Sequence, residues 1–163
     1  MIVMKIIRYE NKYKNQMIAL ILYLQNFDNC VDLSLEEQPD MNDVQHYYQK
    51  NGGEFWLAID DDDNVAGTIG LMKKDMDIGI LKKFFVQPDY RGKQHGVSSQ
   101  LYDKLVTYAK KNRIQQLLLD TPSRCLRAHN FYEKHGFERI VHDELPISYD
   151  YPDRDSYLYL KKI

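Results

Sequence analysis

Residues 81–97 carry the pattern with the most chemical content: Leu81-Lys82-Lys83-Phe84-Phe85-Val86, then Gln87-Pro88-Asp89-Tyr90, then Arg91-Gly92-Lys93-Gln94-His95-Gly96-Val97. An apolar strand stops at a proline, a short basic loop with two glycines follows, and an amphipathic helix opens at once. The first turn of a helix presents main-chain N–H groups without intrahelical partners, at the positive end of the helix dipole. With Arg91 and Lys93 beside them, such groups suit a diphosphate, and Gly92 and Gly96 let the backbone approach it without a Cβ in the way. The loop lacks the Gly-Lys-Ser/Thr ending of a magnesium-dependent triphosphate loop, and it lacks the three-glycine fingerprint of dinucleotide folds. A phosphorylated cofactor of another kind is the remaining reading.

The elements that position this loop follow from periodicity. A first strand runs over about residues 4–9, and Tyr13, Met17, Leu20, Ile21 and Leu24 recur at helical spacing. After an irregular stretch, Asp40 is expected to cap a second helix whose apolar side is Met41, Val44, Tyr47 and Tyr48, with Asn51-Gly52-Gly53 ending it. Strands at 55–59 and 65–72 form a hairpin around the aspartate-rich turn 60–64, which reads as a solvated tip and not a metal site. A third strand covers about 77–86. The helix with Val97, Leu101, Leu105 and Ala109 follows, then a strand at 115–119, a helix at 124–135 ended by Gly136, and strands at 137–141 and 157–160. The expected fold class is α/β, a mixed and mostly antiparallel twisted sheet of six to seven strands flanked by about four helices. No linker or repeat divides the chain, so residues 1–163 are read as a single domain.

The stretch Val86-Gln87-Pro88-Asp89-Tyr90-Arg91-Gly92 followed by Gly96-Val97 resembles the central motif of the Gcn5-related N-acetyltransferase (GNAT) family. A second stretch, Ala128-His129-Asn130-Phe131-Tyr132-Glu133-Lys134-His135-Gly136-Phe137, resembles that family's other signature, an aromatic-tyrosine pair on a helix followed by Gly-Phe entering a strand. The resemblance implies a central pair of splayed strands, acetyl-coenzyme A as co-substrate, no metal, and direct transfer of acetyl to a primary amine in a ternary complex. It implies that Phe85 and Val86 line the pantetheine arm and that Arg91, Gly92, Lys93, Gln94, His95, Gly96, Val97 and Ser98 hold the diphosphate. Tyr132 falls where the family places the acid that protonates the departing thiolate. The pattern departs from the family at Gln94, where glycine is common, at Ile80, where many members carry glutamate, and at Cys125, where many carry asparagine. A non-catalytic acyl-coenzyme A sensor is the rival reading.

Aminolysis of a thioester needs a proton acceptor, because an alkylamine of pKa about 10.4 is almost wholly protonated at neutral pH. Asp120, Glu54 and His95 are the candidates, and spacing does not choose among them. The Val86 N–H is the expected oxyanion donor. Cys125 reads as an inert small residue, since the family transfers acyl groups directly. The acceptor is a small-molecule or peptide amine. The acidic run Asp28, Asp32, Glu36, Glu37, Asp40 and Asp43 points to a cationic one, with helix capping as the alternative.

A formal net charge of -2 gives no basic field for nucleic acid or anionic lipid. The apolar N-terminus is interrupted by charge too early for a membrane span of roughly 18 residues. Two cysteines without metal-type spacing suit a reduced, cytoplasmic chain. Members of the resembled family often pair, and the tyrosine-rich stretch from Tyr149 to Tyr159 is the candidate homodimer surface.

Overall fold

A computed structural model describes residues 4–28, 31–92, 94–151 and 155–163. Its order is β1 (Lys5–Arg8), α1 (Lys14–Tyr23), α2 (Val44–Tyr47), β2 (Glu54–Ile59), β3 (Val65–Lys73), β4 (Ile78–Val86), α3 (Val97–Lys111), β5 (Gln116–Pro122), α4 (Leu126–Lys134), β6 (Glu138–Ile140) and β7 (Ser156–Lys162). The strands form one seven-stranded sheet in the order β1-β2-β3-β4-β5-β7-β6. Every neighbouring pair is antiparallel except β4 and β5.

Strand alternation divides the side chains between two layers. On β2, Trp56 and Ala58 join a core with Val97, Leu101, Leu105 and Ala109 of α3 and Tyr132 of α4, while Phe55, Leu57 and Ile59 join Met17 and Ile21 of α1 and Val44 of α2. The 3.6-residue period of α3 is thereby matched to one face of the sheet, and α1 and α2 cover the other. Beyond α1 the chain takes a π-helical turn over Leu24–Asp28. The Asn26 side chain then clamps the following segment, donating to the carbonyls of Leu22 (2.9 Å) and Leu33 (2.7 Å) and accepting from the Leu33 N–H (2.6 Å).

One sequence expectation needs correction. Asp40 does not cap α2. That cap is Asp43, whose Oδ1 accepts from the His46 N–H at 3.1 Å, and Asp40 lies in the preceding 3-10 turn, buried against Tyr48. In the tyrosine-rich stretch Tyr149 and Tyr159 are buried in the chain's own core, Tyr151 and Tyr157 are partly exposed, and residues 152–154 lie outside the described residues. Among the described residues no helix is long and apolar enough to cross a membrane.

Candidate active site

The site is made by a fault in the sheet. β4 pairs with β5 only at Ile78, Gly79 and Ile80, opposite Gln116, Leu117 and Leu118. Beyond that point β5 stays in the sheet through β7, as far as Pro122 opposite Ser156, while β4 continues along β3 to Val86 opposite Gly67. The facing edges of β4 and β5 are therefore open from Leu81 and Leu119 onward. A cavity of about 1240 Å³ fills the split and is lined from both sides of the sheet.

Hydrogen-bond alternation fixes which main-chain groups face it. The Gln87 N–H bonds the Ala66 carbonyl at 2.8 Å, so that pair is a bonded one, and Val86 opposite Gly67 is at the non-bonded position relative to β3. The N–H and C=O of Val86 thus turn toward the split. The carbonyl accepts from Arg91 Nε at 2.9 Å. The N–H faces the same open edge.

A β-bulge interrupts β4 where its register against β3 shifts between Thr68 and Gly70. Its residue, Lys83, has φ +54, a left-handed conformation that costs an ordinary side chain about 1 kcal/mol or more. The Thr68 hydroxyl donates to the Lys83 carbonyl at 2.6 Å and so holds the bulge. The Lys83 side chain emerges on the α1 and α2 face, nine-tenths buried. Burial pushes its pKa down, opposed by the nearby Asp40 carboxylate.

The loop before α3 is shaped by its two glycines. Gly92 and Gly96 have φ +106 and +67, and Gly96 stands at the N-cap of α3, where no side chain caps the helix. Gly96 C=O takes the Gln100 N–H at 3.0 Å, and Arg91, Gly92, Gly96, Ser98 and Ser99 line the cavity. Gln94, His95 and Val97 do not: the Gln94 side chain lies over Gly92, His95 packs edge-on to Tyr90, and Val97 is buried beneath α3. Lys93 lies outside the described residues. Phe85 and Val86 line the cavity.

Tyr132 reaches the same cavity from α4, its ring buried among Phe84, Phe131, Phe137 and Tyr159. Desolvation, reinforced by Asp120, Cys125 and Tyr102, holds its pKa far above that of an ordinary tyrosine, so the phenol keeps its proton. Of the three candidate proton acceptors, only Asp120 lines the cavity. Glu54 is buried at the start of β2, accepting from Gln49 Nε2 at 2.7 Å and lying 3.5 Å from Arg8. Ile80, where the family's glutamate is absent, is buried with Leu118 and Leu158. Burial raises the Cys125 thiol pKa, against a role as nucleophile.

The acidic run is largely occupied within the chain. Asp28 Oδ2 accepts from Nη2 of both Arg91 (2.9 Å) and Arg127 (3.2 Å), Glu37 accepts from Ser34, and Asp40 accepts from the Tyr48 hydroxyl at 2.6 Å. Sequence reasoning missed Lys83, Arg127, Gln38 and Ser99, all of which line the cavity. Ser99 follows from its place in the first turn of α3; the others meet the site only through long-range folding.

A family model described as the acetyltransferase (GNAT) family matches residues 19–137. The chain belongs to that family. It is similar over 98% of its length to an acetyltransferase from Streptococcus agalactiae 2603, with 37% identity, a TM-score of 0.94 and 98% of that chain covered. It is also similar to a GNAT-family acetyltransferase from Staphylococcus aureus Mu50, with 34% identity, a TM-score of 0.93, and 98% and 99% of the two chains covered. N-acetylaspartate synthetase of Xenopus tropicalis is 31% identical over 103 residues, 62% of this chain. The match spans only 37% of that longer protein.

Proposed function

We propose that this GNAT chain transfers acetyl from acetyl-coenzyme A directly to a primary amine, both substrates being held at the β4–β5 split. The observation that carries the reading is the coincidence, in one cavity, of an open strand edge, an uncapped helix start and a buried neutral phenol. The pantetheine amides pair with the edge after Leu81 as an added strand, and the diphosphate rests on the first turn of α3. The amine arrives from the α1 and α2 face. Asp120 takes the ammonium proton directly or through one water, the freed nitrogen attacks the thioester carbon, and the Val86 N–H bonds the oxyanion. Collapse of the intermediate breaks the C–S bond, Tyr132 gives its proton to the sulfur, and the second proton lost by the nitrogen returns to the phenolate. The products are the N-acetylated amine and coenzyme A.

Thiol release from acetyl-coenzyme A across a panel of amines tests this. Initial-rate lines that intersect support a ternary complex; parallel lines, the mark of an acetylated enzyme, contradict it.

Arg91 and Arg127 are held by Asp28 at the mouth of the donor side. A diphosphate competes with that carboxylate for the same guanidinium groups. Asp28→Asn is expected to tighten coenzyme A binding about two- to fivefold at low salt, in keeping with partly exposed ion pairs, and the gain should shrink as salt rises. Calorimetric titration checks it. Weaker binding in the variant would mean that Asp28 orders the arginines instead of competing for them.

A further inference from the structure

The α1 and α2 side of the cavity contains a polar group that the transfer reaction leaves unused. Lys83 Nζ donates to Gln38 Oε1 at 2.6 Å, and its nearest carboxylate oxygen, Asp40 Oδ2, is 3.8 Å away. That oxygen takes its short bond from the Tyr48 hydroxyl instead. Gln38 Oε1 is itself shared, since Gln25 Nε2 also donates to it at 2.7 Å, while Gln38 Nε2 donates back to Gln25 Oε1 at 2.9 Å. An ammonium has three donors. Here its one close acceptor among the described residues is a neutral amide that already serves another donor. Gln25, Gln38, Asp40, Lys83 and Asp120 all line the cavity.

The bulge is what brings this cation to the site. Without the extra residue in β4, the alternation from Leu81 would place position 83 on the α3 face with Leu81 itself. The left-handed backbone at Lys83 turns it to the acceptor face, across the split from Asp120.

We propose that Lys83 binds a carboxylate carried by the acceptor close to its reacting amine, so that the acceptor is an amino acid or a similar zwitterion. This rests on the acetyl-transfer reading above and names the substrate class of the same site. With the amine held toward Asp120 and its carboxylate at Lys83, a zwitterion leaves the formal charge of the cavity unchanged. A polyamine would set a second cation against Lys83, and the glutamine pair offers it no charge in exchange. Of the acidic run, Asp28 is shared by two arginines, Asp40 is bonded to Tyr48 and faces Lys83, and Glu37, which also lines the cavity, accepts from Ser34.

The test uses the whole chain with acetyl-coenzyme A and matched acceptors: L-amino acids, their α-amides, and the corresponding decarboxylated amines. The reading is the ratio of kcat/KM for each acid to that for its amide. A charge-assisted contact predicts a ratio of roughly ten to a hundred. Lys83→Met should bring it toward one. Asp40→Asn keeps the ammonium and removes its competing carboxylate, so it should raise the ratio above that of the unaltered chain. These opposite signs separate a binding role from a structural one, which would lower activity in both variants alike. Thermal melting confirms that each variant is folded, and Asp40→Asn carries the test alone if Lys83→Met is not. A ratio near one in the unaltered chain, or a preference that survives Lys83→Met, overturns the proposal while leaving acetyl transfer standing. Absence of thiol release with every amine overturns the transfer reading and this one together.

Discussion

Asp120→Asn is expected to lower kcat at neutral pH about a hundredfold, at the lower end of what a positioned general base contributes. The acceptor arrives as an ammonium, and attack requires that its proton leave. An ammonium nitrogen has no lone pair, so that proton passes to Asp120, directly or through water, before the N–C bond forms. Asp120 lies near the open end of β5 and lines the cavity, and its charge is felt by both Lys83 and Tyr132. A rate measurement against pH distinguishes its role. As pH rises toward the amine's own pKa of about 10.4, the neutral acceptor becomes abundant and the deficit of Asp120→Asn should shrink. A deficit that is the same at every pH would indicate a merely structural contribution.

Tyr132→Phe is expected to lower kcat about ten- to a hundredfold, with coenzyme A affinity changed less than about twofold. The substitution removes only a hydroxyl and leaves the packing of the ring against Phe84, Phe131 and Phe137 in place. The sign of the pH effect follows from burial. Desolvation and the Asp120 charge raise the pKa of Tyr132, so the phenol remains protonated through and beyond the range where an ordinary tyrosine, pKa about 10, loses its proton. The unaltered enzyme should therefore show no alkaline loss of rate from this group. Equal kcat for Tyr132→Phe, measured by stopped-flow thiol release, would remove the acid from the mechanism.

Much of this site is legible in local sequence. The strand-proline-glycine-helix pattern at 86–97 marks both the open strand and the uncapped helix, because each feature is enforced by neighbours in the chain: Pro88 ends the ladder, and Gly96 adopts the left-handed conformation before α3. Tyr132 stands out by its motif, and its burial follows from the helical period of α4 with His129. What fails is whatever depends on partners distant in sequence. Asp40 reads as a helix cap because it follows a proline before an apolar run; only the fold brings Tyr48 and Lys83 against it. Asp28 looks like part of a solvated acidic run until the fold sets it beside Arg91 and Arg127, separated from it by 63 and 99 positions. Lys83 breaks the apolar pattern of β4, a visible irregularity, yet the face it takes is decided by the bulge against β3. His95 and Gln94 belong to the loop expected to hold the diphosphate, but neither side chain lines the cavity, and any contribution from them is left to the main chain.

Whether the β4–β5 split receives coenzyme A is decided by a crystal structure of the chain with coenzyme A. The expected result is pantetheine amides bonded to the edge of β4 between Leu81 and Val86, the diphosphate within hydrogen-bond distance of main-chain N–H groups at the start of α3, and the thiol near the Tyr132 hydroxyl. Coenzyme A bound elsewhere, with none in the split, would overturn the proposed function.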